Sequence, residues 1–231
     1  MKVVTTLLYR DFVIFTFLYF TTMDIQIKYG LEEIFIYKPI HNRLYNELKD
    51  RFLKNTLMAL DYLYFKDIMM VTYHKNSPQE MKVDIIDRLI DYAPESIVIE
   101  FGETNQYFPN SNTIKFNDLN GVMFRKNFKE RFSGSNIGFN SPVSLLAHEL
   151  VHCYHELFDE NGYRIRKLDQ SMVGEKLAEN GKDLSFPNQE EVLVVTLTNQ
   201  ICERLGEDKR GNYGRNYYLT NNVLTTDKIT T

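Results

Sequence analysis

The hydrophobic pattern of the first part of the chain predicts short strands followed by helices. Apolar and polar residues alternate between residues 24 and 38, which favours short strands or a loose entry segment. Between residues 39 and 70 the apolar residues recur near helical spacing, with lysines and aspartates between them, which predicts one long helix or a pair of helices. Residues 79–93 repeat this spacing, and Pro94 ends the segment. The pattern therefore predicts N-terminal helices after an extended entry segment.

Further along the chain, the pattern predicts two strands and then two long helices. The strands are Ser96–Phe101 and Thr113–Phe116, the second of which is bounded by asparagine-rich turns. Residues 141–158 and the apolar segment from Gln189 to Leu205 are the predicted helices. Glycine, serine and polar residues predict loops in the intervals that precede and follow the first of these helices, 133–140 and 159–187.

Residues 1–22 are rich in apolar side chains but do not have the pattern of a membrane-spanning helix. Arg10 and Asp11 interrupt the segment and leave Phe12–Phe20 as its longest apolar run. A bilayer requires about 20 such residues, so no stable membrane span is expected. A targeting role and an upstream extension before the working start remain open. We therefore interpret residues 1–22 as an apolar N-terminal extension and residues 23–231 as one domain.

Composition limits the classes of function that fit the chain. Its 231 residues suit a single domain with a full core, and its 43% hydrophobic and 25% charged content is typical of a globular protein. The net charge of −4 argues against a general nucleic-acid binder, for which a basic face is expected. The two cysteines, Cys153 and Cys202, do not form a disulfide framework and are expected to be buried thiols.

The helix predicted at residues 141–158 carries the motif H-E-x-x-H. His148 and His152 are four residues apart, so a helix directs both imidazoles to one side, where they can bind zinc. Glu149 lies beside the first histidine and can take the proton of a water molecule that attacks a carbonyl. Ser141 suits the N-cap of this helix. The motif therefore predicts a zinc-dependent hydrolase.

A catalytic zinc site commonly has three protein ligands, so a third ligand is required. His155 lies near the same helix face, but three side chains of one straight helix cannot all converge on one ion. The pattern H-E-x-x-H-x-x-G-x-x-H also fails, because His155 occupies its glycine position and Phe158 its last histidine position. We therefore expect His155 to support the site or to pack beside it.

Carboxylates downstream are the remaining candidates for the third ligand. Glu175 and Glu179 are possible, but Glu190 and Glu191 are better placed, because they open the second long helix. A structural role competes with this interpretation, since Asn188 and Glu191 fit a capping box and carboxylates favour helix N-termini. Periodicity does not choose between the two adjacent acids.

Two segments resemble a known protease family. The segment LLAHELVHCYHEL, followed by two glutamates at the start of a helix, resembles the NleD-type zinc metalloproteases of bacterial type III secretion, and more distantly the clostridial neurotoxin light chains. Asn199, Gly206, Arg210 and Tyr213 match the family's pattern N-x6-G-x3-R-x2-Y. The resemblance covers roughly residues 96–213.

The resemblance implies a role for each matching residue. It implies three zinc ligands: His148, His152 and Glu191. Glu149 would be the general base and Glu190 a supporting residue. Arg210 and Tyr213 would stabilise the oxyanion of the transition state. The same spacing recurs in a second pair, which is an alternative: Arg215 and Tyr218.

Together, these features predict an α+β, zincin-like single domain with N-terminal helices, a small sheet and two zinc-holding helices. The predicted function is that of a zinc-dependent endopeptidase acting on a protein substrate. The resemblance further implies an effector that is secreted into the host cell cytoplasm and cleaves mitogen-activated protein kinases. Two alternatives are a catalytically inactive, zinc-stabilised binding or scaffold protein, and a helical interaction protein in which the motif arose by chance.

Overall fold

The computed structural model describes the backbone of residues 5–9 and 12–16, and all atoms of residues 24–73, 81–126, 134–171 and 185–229. These residues form an α+β fold with five α-helices and twelve strands. The helices are α1 (Arg51–Phe65), α2 (Ile85–Tyr92), α3 (Pro142–Phe158), α4 (Glu160–Leu168) and α5 (Gln189–Leu205). The strands are β1 (Thr5–Tyr9), β2 (Phe12–Thr16), β3 (Ile25–Tyr29), β4 (Glu33–Ile36), β5 (Met70–Tyr73), β6 (Met81–Asp84), β7 (Ile97–Phe101), β8 (Gln106–Phe108), β9 (Thr113–Phe116), β10 (Asn120–Arg125), β11 (Ile137–Asn140) and β12 (Asn216–Leu219).

The largest sheet has five strands in the order β4-β3-β7-β9-β8. Strands β3, β7 and β9 are parallel, and the edge strands β4 and β8 are antiparallel to their neighbours. On one face of the sheet, the neighbouring strands β3, β7 and β9 place three isoleucines side by side, all fully buried in the main core: Ile27, Ile99 and Ile114. The residue that follows each isoleucine lies on the opposite face of the sheet, where Lys115 Nζ lies 2.6 Å from Glu100 Oε1. This alternation is typical of a sheet with one face packed on a core.

Helix α3 is the central helix of the fold. Every residue from 141 to 153 is buried, and the helix contacts α1, α2, α4 and α5 as well as strands β8, β9 and β10. Leu146 and Leu150 pack into the same core as the five-stranded sheet. A helix that is apolar on most sides is buried on most sides, so the motif helix is held rigidly.

A second sheet positions the segment that follows α5. Its three antiparallel strands have the order β11-β10-β12. Because β12 pairs with β10, the chain between α5 and β12 lies near the start of α3. There Asn140 donates a side-chain hydrogen bond to the carbonyl oxygen of Asp208 at 2.8 Å.

Several of the predicted strands and helices are confirmed by the structure. Strands β3 and β4 lie within residues 24–38, and β7 and β9 match the two strands predicted in the middle of the chain. The helices predicted within 39–70 and 79–93 are present but shorter: α1 begins at Arg51 and α2 at Ile85. The helical prediction is wrong for residues 81–84, which form β6 and pair with β5. Aspartates cap both helices: Asp50 accepts a hydrogen bond from a backbone N–H of α1, and Asp84 does so for α2.

Two loop predictions are wrong. Residues 137–140 form β11, where Gly138 lies so close to the ring of Phe124 that an added Cβ would be 2.5 Å from it. The glycine that suggested a loop therefore allows close packing between strands. Residues 160–168 form α4, which buries Tyr163 and is otherwise largely polar because it faces solvent. The remainder of the second predicted loop, residues 172–184, lies outside the described residues.

The predicted extension contains a hairpin, in which β1 and β2 pair antiparallel. Its remaining residues lie outside the described part of the chain. Among the residues that are described, no helix combines the length and the apolar character needed to cross a bilayer.

Candidate metal centre

Helices α3 and α5 bring together the predicted ligands. His148 Nε2 lies 3.4 Å from Glu191 Oε2, and His152 Nε2 lies 3.3 Å from Glu191 Oε1. All three residues are buried, and their candidate ligand atoms lie within 4.8 Å of one another. The structure therefore contains a buried His-His-Glu group that could hold a metal ion.

The two helix starts explain this convergence. Asn188 caps α5 by accepting a hydrogen bond from the backbone N–H of Glu191 at 3.0 Å, as predicted, while the Glu191 carboxylate points to the histidines. Pro142 occupies the first turn of α3, and Ser141 is its N-cap residue by position. The Ser141 side chain makes no cap hydrogen bond and instead donates its hydroxyl to Glu207, which also accepts from the Ser141 backbone N–H at 3.0 Å.

The spacing of the polar atoms fits a tetrahedral ion. Metal–ligand bonds of about 2.0–2.1 Å place tetrahedral ligand atoms roughly 3.3–3.4 Å apart, which matches the separation of His148 Nε2 from Glu191 Oε2. The similar separation of His152 Nε2 is from the other carboxylate oxygen, Oε1. These separations are longer than ordinary hydrogen bonds. Glu191 Oε2 is buried and has no hydrogen-bond partner among the described residues. Because a buried carboxylate oxygen rarely remains unpaired, this atom is suited to a metal.

The pKa shifts of the three candidate ligands act in both directions on the binding of a cation. Burial lowers the pKa of His148, which favours the neutral, ligating imidazole. Burial acts in the same direction on His152, but Glu190 and Glu191 outweigh it and raise its pKa to about 9. Burial alone would raise the pKa of Glu191, yet the two imidazoles hold it well below its usual range. A metal ion would therefore meet an ionised carboxylate and displace a proton from His152.

Glu190 lies behind the histidines and contacts a different set of groups from Glu191. It is fully buried, and its Oε1 is 2.6 Å from His155 Nδ1 and 3.4 Å from His152 Nδ1. Its Oε2 accepts a hydrogen bond from Arg166 Nε at 2.5 Å. Glu190 therefore lies on the side of the His152 ring opposite to Nε2, where it can orient that ring.

His155 is outside the ligand group, as expected. Its Nε2 is hydrogen-bonded to the hydroxyl of Tyr73 at 2.9 Å and its Nδ1 to Glu190. Both ring nitrogens are therefore occupied. The earlier acid candidates Glu175 and Glu179 lie outside the described residues.

Glu149 lines a cleft of about 420 Å³ together with the three candidate ligand residues. Its Oε2 accepts a hydrogen bond from the backbone N–H of Tyr107 in the edge strand β8, at 2.8 Å. Within the described residues its Oε1 accepts no hydrogen bond. The edge strand therefore fixes the carboxylate and leaves one oxygen to accept a proton.

The Asn-Gly-Arg-Tyr pattern has a structural basis. Asn199 exchanges two side-chain hydrogen bonds, both 2.8 Å, with the backbone N–H and carbonyl oxygen of Arg210. Gly206 ends α5 with a left-handed φ of +72°, a conformation that favours glycine. These two residues place Arg210 and Tyr213 beside α3, where each lines a cavity together with His148.

One residue from each of the two predicted Arg–Tyr pairs lines the cleft. Tyr213 and Arg215 do so, and the Arg215 guanidinium carbon lies 4.9 Å from the centre of the Tyr213 ring. Arg210 is 5% exposed, packs against the Tyr213 ring at 5.9 Å and lines a small cavity behind His148. Tyr218 is directed elsewhere, because its hydroxyl donates to the carbonyl oxygen of Thr226.

Sequence reasoning did not identify two cleft residues of α4. Tyr163 and Lys167 line the cleft, and Lys167 Nζ donates a hydrogen bond to Glu191 Oε1 at 3.1 Å. Their spacing of four residues would place them on one helix face, but the segment was expected to be a loop.

Comparison of the chain with protein-family models, curated proteins and solved structures finds no match.

Proposed function

We propose that this protein is a zinc-dependent endopeptidase with a zincin-like catalytic domain. The observation that supports the proposal most strongly is the buried group of His148, His152 and Glu191, whose candidate ligand atoms lie within 4.8 Å of one another, with Glu149 in the same cleft. Two imidazoles and one carboxylate are a ligand set that catalytic zinc sites use, with a fourth position left open. Bound there, zinc would supply Lewis-acid activation of a water molecule and of the scissile carbonyl.

The residues of the chain then have separate tasks. Glu149, held through Oε2 by the Tyr107 backbone N–H, accepts the proton of the attacking water at Oε1 and delivers it to the leaving nitrogen. Tyr213, in the cleft wall, donates its hydroxyl to the developing oxyanion. Burial raises the pKa of Tyr213 to about 12, so this hydroxyl keeps its proton at neutral pH. Arg210 packs against the Tyr213 ring and thereby restricts its position.

The test is proteolysis by the zinc-loaded protein, compared with Glu149→Gln. We expect the wild type to cleave casein or a mixed peptide library, and Glu149→Gln to bind one zinc but lose at least about a hundredfold in rate. Glu203→Gln is a matched control, because this exposed acid of α5 pairs only with Lys209 among the described residues. Cleavage that survives in Glu149→Gln would refute the assignment of the base.

A zinc-stabilised binding protein without catalysis is the second candidate. It is favoured by the position of Arg210, whose guanidinium lines the small cavity behind His148 rather than the cleft. The two candidates differ in one result: the scaffold binds zinc and is stabilised by it, yet cleaves no member of the library.

The identity of the substrate and the route of delivery rest on the sequence resemblance alone. On that basis we propose a bacterial effector that acts on a host mitogen-activated protein kinase in the host cytoplasm. Incubation of the zinc-loaded protein with purified kinases, followed by mass spectrometry of the fragments, tests this part separately.

A further inference from the structure

The cleft wall carries a cation, Arg215, that contacts no acid directly among the described residues, although the charges of Glu149 and Glu191 act on it from a distance. Arg215 lines the same cleft as Glu149 and Glu191, and no carboxylate of the described residues forms an ion pair with it. Its guanidinium carbon lies 4.9 Å from the centre of the Tyr213 ring and 5.5 Å from that of Tyr217. The other cation of the cleft, Lys167, already donates a hydrogen bond to Glu191. Among the described residues that line the cleft, Arg215 is therefore the cation that forms no hydrogen bond to an acid and can bind a ligand.

The two aromatic rings give Arg215 a restricted orientation. Stacking on a ring face restrains the plane of a guanidinium while its N–H groups remain able to donate. A planar guanidinium held in this way matches the two oxygens of a carboxylate in a bidentate arrangement. Partial burial also increases the benefit of an anionic partner, because the guanidinium has already lost part of its hydration.

The net charge of the cleft acts in the same direction. The acids Glu149 and Glu191 balance the cations Lys167 and Arg215, so a divalent ion at the ligand group leaves the cleft positive. A cleft with one sign of charge attracts ligands of the opposite sign. Both cleft acids also have tasks at the metal, which leaves Arg215 to interact with substrate side chains.

We propose that Arg215 binds an acidic side chain of the substrate, so that the cleft selects peptides with aspartate or glutamate beside the scissile bond. The proposal rests on the proposed function for the peptide nature of the ligand. It concerns recognition, and it therefore has a consequence for binding that does not depend on turnover.

Peptide binding measured in the absence of cleavage tests the proposal. A fluorescein-labelled neutral octapeptide is compared with versions in which one glutamate, or one glutamine, is moved through its positions. Binding to the full-length zinc-loaded Glu149→Gln protein is followed by fluorescence anisotropy. A charge-assisted hydrogen bond predicts that the glutamate peptide binds roughly tenfold to a hundredfold more tightly than its glutamine counterpart in at least one register.

Two variants assign this preference to Arg215. Arg215→Gln in the same background should reduce the ratio to about one, and Arg215→Glu should favour a lysine peptide. Arg88→Gln is the matched control, because Arg88 also lies over a tyrosine ring, that of Tyr92 at 5.0 Å, but on α2 and outside the cleft lining. It should keep the full preference. Zinc content and circular dichroism of each variant identify any that fail to fold.

The outcomes separate recognition from catalysis. Equal affinity for glutamate and glutamine peptides, no binding in any register, or a preference that persists in Arg215→Gln would each overturn the proposal. Arg215→Gln could instead lower kcat equally for acidic and neutral peptides and leave their binding unchanged. This result would overturn the proposal and indicate that Arg215 stabilises the oxyanion. If the wild type hydrolyses no peptide but the binding preference follows Arg215, the proposed function fails and the recognition stands.

Discussion

Replacing Glu190 should mainly lower the free energy of unfolding, whereas replacing Glu191 should mainly abolish zinc binding. Glu190 is fully buried and is bonded to His155 and Arg166 at 2.6 and 2.5 Å. Breaking a buried pair by removing one partner costs about 3–5 kcal/mol. Arg166 keeps its hydrogen bond to Asp159 at 2.9 Å and its side chain is 22% exposed, so we expect the lower end of that range, about 3 kcal/mol, for Glu190→Ala.

Glu191 should respond in the opposite way. Its described non-histidine partner, Lys167, has a side chain that is 34% exposed and can turn to water when the carboxylate is removed. The ion pair with Lys167 contributes about 1 kcal/mol or less, and His152, whose raised pKa depends partly on Glu191, can lose its proton when that carboxylate is removed. Glu191→Gln should therefore destabilise the metal-free protein less than Glu190→Ala does. The same variant removes a ligand and should abolish tight zinc binding. Glu190→Gln removes the charge behind His152 but no metal ligand, and should weaken zinc binding about 10–100-fold.

Two assays on the same four proteins measure these two effects. Urea denaturation in the presence of a chelator gives the free energy of unfolding of wild type, Glu190→Ala, Glu190→Gln and Glu191→Gln without metal. Competition with a chromophoric chelator gives the zinc affinity of each. If the Glu191 variant kept wild-type zinc affinity while Glu190→Gln lost binding altogether, the assignment of the third ligand would be reversed and our reasoning refuted.

Three further predictions address catalysis, packing and backbone conformation. Tyr213→Phe should lower kcat about a hundredfold with zinc affinity unchanged, because it removes one oxyanion donor; peptide turnover at the wild-type rate would exclude this role. Leu150→Ala should lower the free energy of unfolding by about 2–5 kcal/mol, since Leu150 is fully buried in α3. The control Leu168→Ala, at an 81% exposed position, should change it by less than about 0.5 kcal/mol. Equal effects of the two substitutions in urea denaturation would contradict the packing of α3. Gly206→Ala should cost about 1–2 kcal/mol because φ is +72° there, and an unchanged denaturation midpoint would show that the left-handed turn is absent.

The local part of the site could be predicted from the sequence. The positions of His148, Glu149 and His152 follow from helical spacing, and an apolar sequence around them predicts a buried helix. The capping role of Asn188 is equally local, because it depends on residues three positions apart. Such features need no knowledge of distant contacts.

The choices that depend on tertiary contacts could not be made from the sequence. Glu190 and Glu191 are adjacent and both buried, and only the packing of α5 against α3 decides which carboxylate faces the Nε2 atoms. The presence of Arg215 in the cleft likewise follows from the pairing of β12 with β10. Strand β11 was missed because Gly138 reads as a loop residue until its contact with Phe124 is known.

The central claim is that two imidazoles and the Glu191 carboxylate bind one zinc ion, and zinc-edge X-ray absorption of the purified protein tests it most directly. We predict one tightly bound zinc per chain with two imidazole nitrogens and carboxylate oxygen at about 2.0–2.2 Å, and a change in this coordination in Glu191→Gln. A wild-type protein that takes up no zinc, or a spectrum that is identical in Glu191→Gln, would contradict the account.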